Sequence, residues 1–304
     1  MSAESATSTS RGSQTMRASE TRWGYGLIAP MMIGFSIFFL IALGASLVLS
    51  FTRWDLLNAP VFNGLDNYRR ILSDSRFHTA FFNTFAIAIP NVILRITFAL
   101  GLAVVLNSNI RFRTFYRIVF FLPVVTMPVA IATIWKWIFD PAYGPVNGIL
   151  ANFGIDGPSW LFNQSTAIVA VVIVLLWSGI GYDMIIFLAG LQSIPRDYYE
   201  ASSLDGASGW QQFRDITVPL LTPTTFFLSV IAVIASLQVF DLVYVMTRLD
   251  SSNRLPTLVY YIYNQGFEES RMGYAIAVAW VLLAIILVFT FIQFRLQRRW
   301  VHYQ

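Results

Sequence analysis

LQSIPRDYYEASSLDGASGWQQFRDITVPLLTP, running from Leu191 to Pro223, separates two long apolar runs in the second half of the chain. It is polar, yet its spacing predicts two short helices. Pro195 suits the first turn of a helix, where a missing N–H costs nothing. Tyr198, Ala201, Ser202 and Asp205 then share one face at i, i+3, i+4 and i+7 spacing. Gly206 falls where a helix stop is expected. Ser208 and Gln211 form an S-x-x-Q capping box that starts a second helix, which Pro219 is expected to end. The result is a compact helix–turn–helix. Small residues at Ala201 and Ser202 leave room for another protein's backbone, and Glu200 and Asp205 add charge. A helix that merely lay on a membrane would carry a basic polar face and a bulky apolar one; this one is acidic to neutral and small.

The runs on either side are long enough to cross a bilayer, which takes about 20 mostly apolar helical residues. Six such stretches occur: Tyr25 to Phe51, Phe81 to Leu106, Phe115 to Phe139 (with Pro123 and Pro128 inside it), Ala167 to Gly190, Pro223 to Met246, and Gly273 to Phe294. They are continuously apolar rather than alternating, so each satisfies its backbone in lipid as a helix and not as a barrel strand. Composition agrees. Of 304 residues, 56% are hydrophobic and 12% charged, against about 25% charged in a soluble domain, and the mean hydropathy is +0.62. No soluble domain, linker or internal repeat stands out.

Several chemistries are excluded. The absence of cysteine removes disulfides, thiol catalysis and thiolate metal sites. His78 and His302 are far apart, and neither has a metal-ligand neighbour. Lys136 is the sole lysine and no G-x-x-x-x-G-K-[ST] loop surrounds it, so the chain has no P-loop with which to hydrolyse ATP. H-E-x-x-H and G-x-S-x-G patterns are also missing. Met1 to Arg22 is rich in Ser, Thr and Ala and lacks the apolar core of a signal peptide; it reads as a disordered tail. Arginine is moderately enriched at the span ends that an N-in, C-in arrangement puts in the cytoplasm, including Arg111, Arg113 and Arg117. The Asp140 to Ser165 loop, with no Arg or Lys, fits the outside.

Polar and aromatic residues within the spans are the candidates for contact with a solute: Asn91, Arg95, Trp177, Asp183, Gln238, Phe240 and Asp241. An unpaired Arg at mid-helix costs about 2.5–3.5 kcal/mol, so Arg95 is expected either to pair with an intramembrane acid or to contact solute. Gln238 and Asp241, three residues apart, are expected on one helix face. Trp135, Trp137, Trp177 and Phe240 suit stacking on a sugar ring as well as plain packing or an interfacial belt.

The Leu191 to Pro223 segment resembles the EAA motif of ABC-importer permeases: E-A-A, three residues, Gly, nine residues, then I-x-L-P. Glu200, Ala201 and Ser202 take the E-A-A positions, Gly206 the Gly, Ile216 the Ile and Pro219 the Pro. Ser202 stands in place of Ala and Val218 in place of Leu. FNGLDNYRRIL (Phe62 to Leu72), FLAGLQSIP (Phe187 to Pro195) and YYIYNQGFEESRMGYAIA (Tyr260 to Ala277) also resemble sugar-type permeases, closest to the upstream member of a maltose-type or glycerol-phosphate-type pair. One departure is the segment after Thr247, RLDSSNRLPT, where the family often has a Gly-Gly-Pro turn.

The resemblance implies an all-α membrane protein of six transmembrane helices, the type I ABC importer fold, with a cytoplasmic coupling helix. It implies a tail at 1–22, a first helix and external loop at 23–78, a five-helix permease core at 79–295 and a cytoplasmic end at 296–304. The implied partners are a second permease subunit, an ABC ATPase dimer that binds the ATP and Mg, and an external solute-binding protein; the chain itself needs no cofactor. Glu200, Ala201, Ser202, Asp205, Gly206, Ile216 and Pro219 are then the ATPase-coupling residues. The implied cargo is a sugar or sugar-like solute, with a glycerol phosphodiester or another small polar solute as the alternative. A gradient-driven secondary transporter leaves the EAA spacing unexplained.

Overall fold

The computed structural model describes Thr21, residues 23–247 and residues 255–301. The rest of the expected N-terminal tail, Arg248 to Arg254 of the departing segment, and His302 lie outside the described residues.

Among the described residues, four helices are long and apolar enough to cross a membrane unbroken: α1 (Trp23–Leu49), α3 (Ser75–Asn107), α7 (Gln164–Ser193) and α13 (Met272–Trp300). Between α1 and α3 lie a two-stranded antiparallel pair, β1 (Thr52–Arg53) and β2 (Val61–Phe62), and the short helix α2 (Asp66–Ser73). Asn67 ties this region to the end of α1 by donating to the carbonyls of Ser50 (2.8 Å) and Thr52 (2.9 Å). None of the most apolar part of α1 is buried within the chain.

The expected third and fifth spans are not single helices. The third consists of α4 (Arg113–Val125) and α5 (Pro128–Ile138), set at 102° to one another. Pro128 lacks an N–H and disfavours helical backbone at the preceding residue; Thr126 and Met127 are accordingly extended, with ψ of 140° and 130°. After the short α6 (Pro145–Asn152) and the long α7 come α8 (Arg196–Leu204) and α9 (Gly209–Leu220). The chain then bends by 63° into α10 (Thr222–Leu237). α10 stops at Leu237 and the helix restarts as α11 (Asp241–Thr247); α12 (Leu258–Tyr263) precedes α13.

α3 and α7 form the centre. Ala99, Ala103 and Leu106 of α3 pack with Ile180, Met184, Phe187 and Leu191 of α7, and Leu221 and Leu228 close the cluster. Small residues at such a contact let backbones approach closely, which drives helix association in lipid. At the other end of the bundle, Phe77, Ala80 and Ala88 of α3 pack with Leu258 and Tyr261 of α12 and Tyr274, Ala277 and Val278 of α13. α5 leans on α11 through Ile131, Ala132, Leu242 and Met246.

Candidate functional site

The Leu191 to Pro223 segment folds as the helix–turn–helix its spacing predicts, with adjusted joints. Pro195 is the residue just before the helix, with ψ at 137°, and α8 begins at Arg196. α8 ends in a two-bond turn: the amide of Ala207 donates to the carbonyl of Ser202 (3.0 Å) and that of Gly206 to Ser203 (3.1 Å). This closure needs a left-handed residue, and Gly206 supplies it at φ +79°. A Cβ built there would meet nothing within 4 Å, so backbone conformation rather than space sets the need for glycine. The capping box is present: the Ser208 amide donates to Gln211 Oε1 (2.7 Å), and the Gln211 amide to Ser208 Oγ (3.4 Å).

Pro219 does not end the second helix. A π-turn over Phe213–Thr217 carries the chain to Val218, whose amide donates to Phe213. Pro219, which has no amide donor, follows directly, and the helix continues across it to Leu220, with the Leu221 amide donating to the Thr217 carbonyl (3.0 Å). Ile216 and Pro219 are half-buried along this stretch.

Orientation separates the expected coupling residues. Glu200, Ala201 and Asp205 are exposed, while Ser202 turns inward and is half-buried. Its hydroxyl donates to the Tyr199 carbonyl (2.9 Å) and lies 3.0 Å from the Gln212 amide nitrogen. Ser202 therefore belongs to the interior of the loop and not to the small outward surface that the sequence suggested. That surface is also less small than expected: Leu204 is 90% exposed and Trp210 68%. Both were missed, although Leu204 sits two residues before the glycine stop in an otherwise polar helix, which was the available signal.

The intramembrane candidates divide into interior and surface groups. Arg95 of α3 and Asp183 of α7 form a bidentate ion pair, with Nη2–Oδ1 at 2.8 Å and side chains only 12% and 1% exposed. A Cβ at Gly179 would lie 2.8 Å from the guanidinium carbon, so glycine makes the space the arginine occupies. Of the two roles open to Arg95, the structure displays the pair. Asn91 is buried and donates to Ser236 Oγ (2.8 Å). Gln238 and Asp241 do not share a face of one helix, because α10 ends just before Gln238 and Asp241 opens α11; both are exposed at the ends of the unwound Gln238 to Phe240 segment. Phe240 stacks obliquely on Tyr244 and Tyr263 at 5.2 and 5.3 Å. Trp177 stands edge-on to Trp135 at 5.6 Å and remains 43% exposed.

Away from the loop, at the start of α3, Asp74 accepts from Tyr261 (2.6 Å) and Tyr274 (3.0 Å). Burial pushes the Asp74 carboxyl up, but these two hydroxyls and the Arg76 amide outweigh it and hold the pKa below its ordinary value. Beside this cluster a cavity of about 560 Å³ opens among Arg53, Asn63, Asn67, Arg70 and Arg271.

Residues 95–302, more than half of the chain and including the whole loop, match the family model for the binding-protein-dependent transport system inner membrane component. The chain belongs to that family. It is 39% identical over 286 residues to the probable ABC transporter permease protein YesP of Bacillus subtilis, covering 92% of each chain. It is 34% identical to the arabinooligosaccharides transport system permease protein AraP of the same organism, covering 90% of this chain and 87% of that one. The sn-glycerol-3-phosphate transport system permease protein UgpA of Agrobacterium fabrum is also 34% identical, covering 92% and 96%. In fold it is similar to a bacterial alginate ABC transporter solved with a pentasaccharide-bound periplasmic protein, with TM-score 0.83, 23% identity and coverage of 93% and 96%. The permease is thus an all-α, multi-pass membrane protein with the type I importer fold, and a transport component rather than an enzyme.

Proposed function

We propose that this permease is one of two membrane subunits of an ATP-driven importer. A separate ABC ATPase binds ATP and Mg and docks on α8, and an external binding protein delivers a sugar or sugar-like solute. The observation that carries this reading is the folded loop with its exposed Glu200, Ala201, Leu204 and Asp205, a contoured surface on an otherwise membrane-embedded chain. Leu204 serves as the apolar anchor that fills an ATPase cleft, and Glu200 makes a polar contact at its rim. Closure of the ATPase dimer displaces α8. The motion passes through Ile194 and Pro195 into α7, which carries Trp177 and Asp183, and through α9 into α10.

The solute path is proposed to run along the surface of Trp177, Gln238, Phe240 and Asp241, facing the second permease subunit. Unwound backbone at membrane depth is tolerated where it is buried in protein or lines a water-filled cavity, and the break between α10 and α11 exposes Gln238 and Asp241 in this chain. The carbohydrate reading leans on the names of AraP and the alginate transporter; UgpA names a glycerol phosphate instead. A screen of the cognate binding protein against oligosaccharides and glycerol phosphates decides between them. With the loop as the coupling element and both termini in the cytoplasm of a bacterial inner membrane, the purified chain alone is expected to show no ATPase activity. Hydrolysis stimulated by loaded binding protein is expected only with the separate ATPase. Saturable hydrolysis by the chain alone overturns the reading.

A further inference from the structure

The coupling helix α8 is attached at both ends through short non-helical joints: extended backbone at Ile194 and Pro195, and the Asp205 to Ser208 turn with left-handed Gly206. A helix held only by such joints would pivot under a force on its outer face, and little of the force would reach α10. Two side-chain ties oppose that pivot. The Gln212 amide nitrogen, from α9, lies 3.2 Å from the Tyr199 carbonyl, 3.0 Å from Ser202 Oγ and 2.9 Å from Ser203 Oγ. The two serine hydroxyls spend their own protons on the Tyr199 carbonyl, at 2.9 and 2.7 Å. Their lone pairs are therefore free for the two amide protons of Gln212, and the donor count closes. The second tie joins Tyr199 Oη to Thr217 Oγ1 at 2.9 Å, and Thr217 is only 6% exposed.

From this geometry we infer that Gln212 and Tyr199 are positioning residues that lock α8 to α9, so that the pair moves as one lever on α10. The inference rests on the proposed coupling function. It also accounts for the departure at the third motif position: Ser202 offers Gln212 an acceptor, and an alanine there would offer none.

The test uses the complete importer in vesicles, carrying Gln212→Leu or Tyr199→Phe. Gln212→Leu removes both amide protons at similar size; Tyr199→Phe removes one hydroxyl and leaves the fold intact. Three quantities are measured: ATPase co-purified per permease, hydrolysis without binding protein, and solute imported per ATP. The first two are expected to match the unmodified importer. Solute per ATP is expected to fall roughly five- to thirtyfold, the factor that loss of one or two hydrogen bonds carries. A merely structural role would lower assembly and leave this ratio unchanged. Unchanged solute per ATP in both variants overturns the lever. Loss of ATPase recruitment also overturns it, by showing that the two residues act on docking, while leaving the coupling function standing. If the unmodified chain recruits no ATPase, the coupling function itself fails and the lever with it.

Discussion

Replacing Asp183 by Leu would strand the Arg95 guanidinium inside the α3–α7 contact. The pair is bidentate, and Asp183 is only 1% exposed, so no water takes over its role. Breaking a buried ion pair from one side costs about 3–5 kcal/mol, because a charge is left without compensation. The cost of an unpaired Arg at mid-helix, about 2.5–3.5 kcal/mol, gives a similar figure. Removing both partners, as Arg95→Leu with Asp183→Leu, leaves no charge behind and is expected to be close to neutral. Each single variant is expected to cost about 3–5 kcal/mol and the double close to nothing, so the cycle has a coupling energy of roughly 6–10 kcal/mol. The assay is the unfolding midpoint of the purified permease in mixed detergent micelles, with membrane expression as a second readout. Gly179→Ala is a milder version of the same perturbation: its Cβ would sit 2.8 Å from the guanidinium carbon and push Arg95 off its acid. If Asp183→Leu is as stable as the unmodified chain, or the double variant is as damaged as the single, the pair does not hold α3 to α7. If the double variant is stable but transports nothing, the pair contacts solute after all.

Other expectations follow from the loop and the Asp74 cluster. Gly206→Ala should cost about 1–2 kcal/mol, the left-handed penalty, with Gly206→Val worse and Gly206→Asn milder; co-purification of the ATPase should fall in that order. Glu200→Lys, at an exposed site with no fold role, should leave membrane insertion intact while weakening ATPase recruitment, measured by the same co-purification. Asp74 has its pKa lowered from an ordinary 3.8, so its stabilising contribution is full above that value and lost as the pH falls through the folded value below it. Thermal unfolding should accordingly show Asp74→Asn less stable than the unmodified chain at neutral pH, and the two should converge in strong acid.

The sequence disclosed the spans through continuous apolar runs and the loop through its Pro, Gly and capping spacing, because those signals are local. What it did not disclose depends on contacts between distant segments. The bend at Thr126 and Met127 was signalled by Pro128, but its size comes from α5 leaning on α11. The break after Leu237 carries no proline or glycine; Ser236 bonds to Asn91 of α3, and the Val239 carbonyl accepts at 3.4 Å from Thr257, the residue just before α12. Helical periodicity therefore misplaced Gln238 and Asp241 on a common face. Arg95 could be read as needing an acid, but choosing Asp183 required the α3–α7 register. The inward turn of Ser202 depends on Gln212, ten residues on, which no helical spacing relates to it.

The central claim, that the exposed face of α8 is where the ATPase engages, is tested most directly by cross-linking. The chain has no cysteine, so Leu204→Cys, at a site 90% exposed, introduces a single reactive thiol. In the assembled importer, a short bifunctional reagent applied from the cytoplasmic side should join it to the ATPase subunit in one dominant adduct. Binding of the ATPase should also protect that thiol from maleimide. A thiol that labels only from outside, or one that reacts equally with and without the ATPase and yields no adduct with it, would contradict the account.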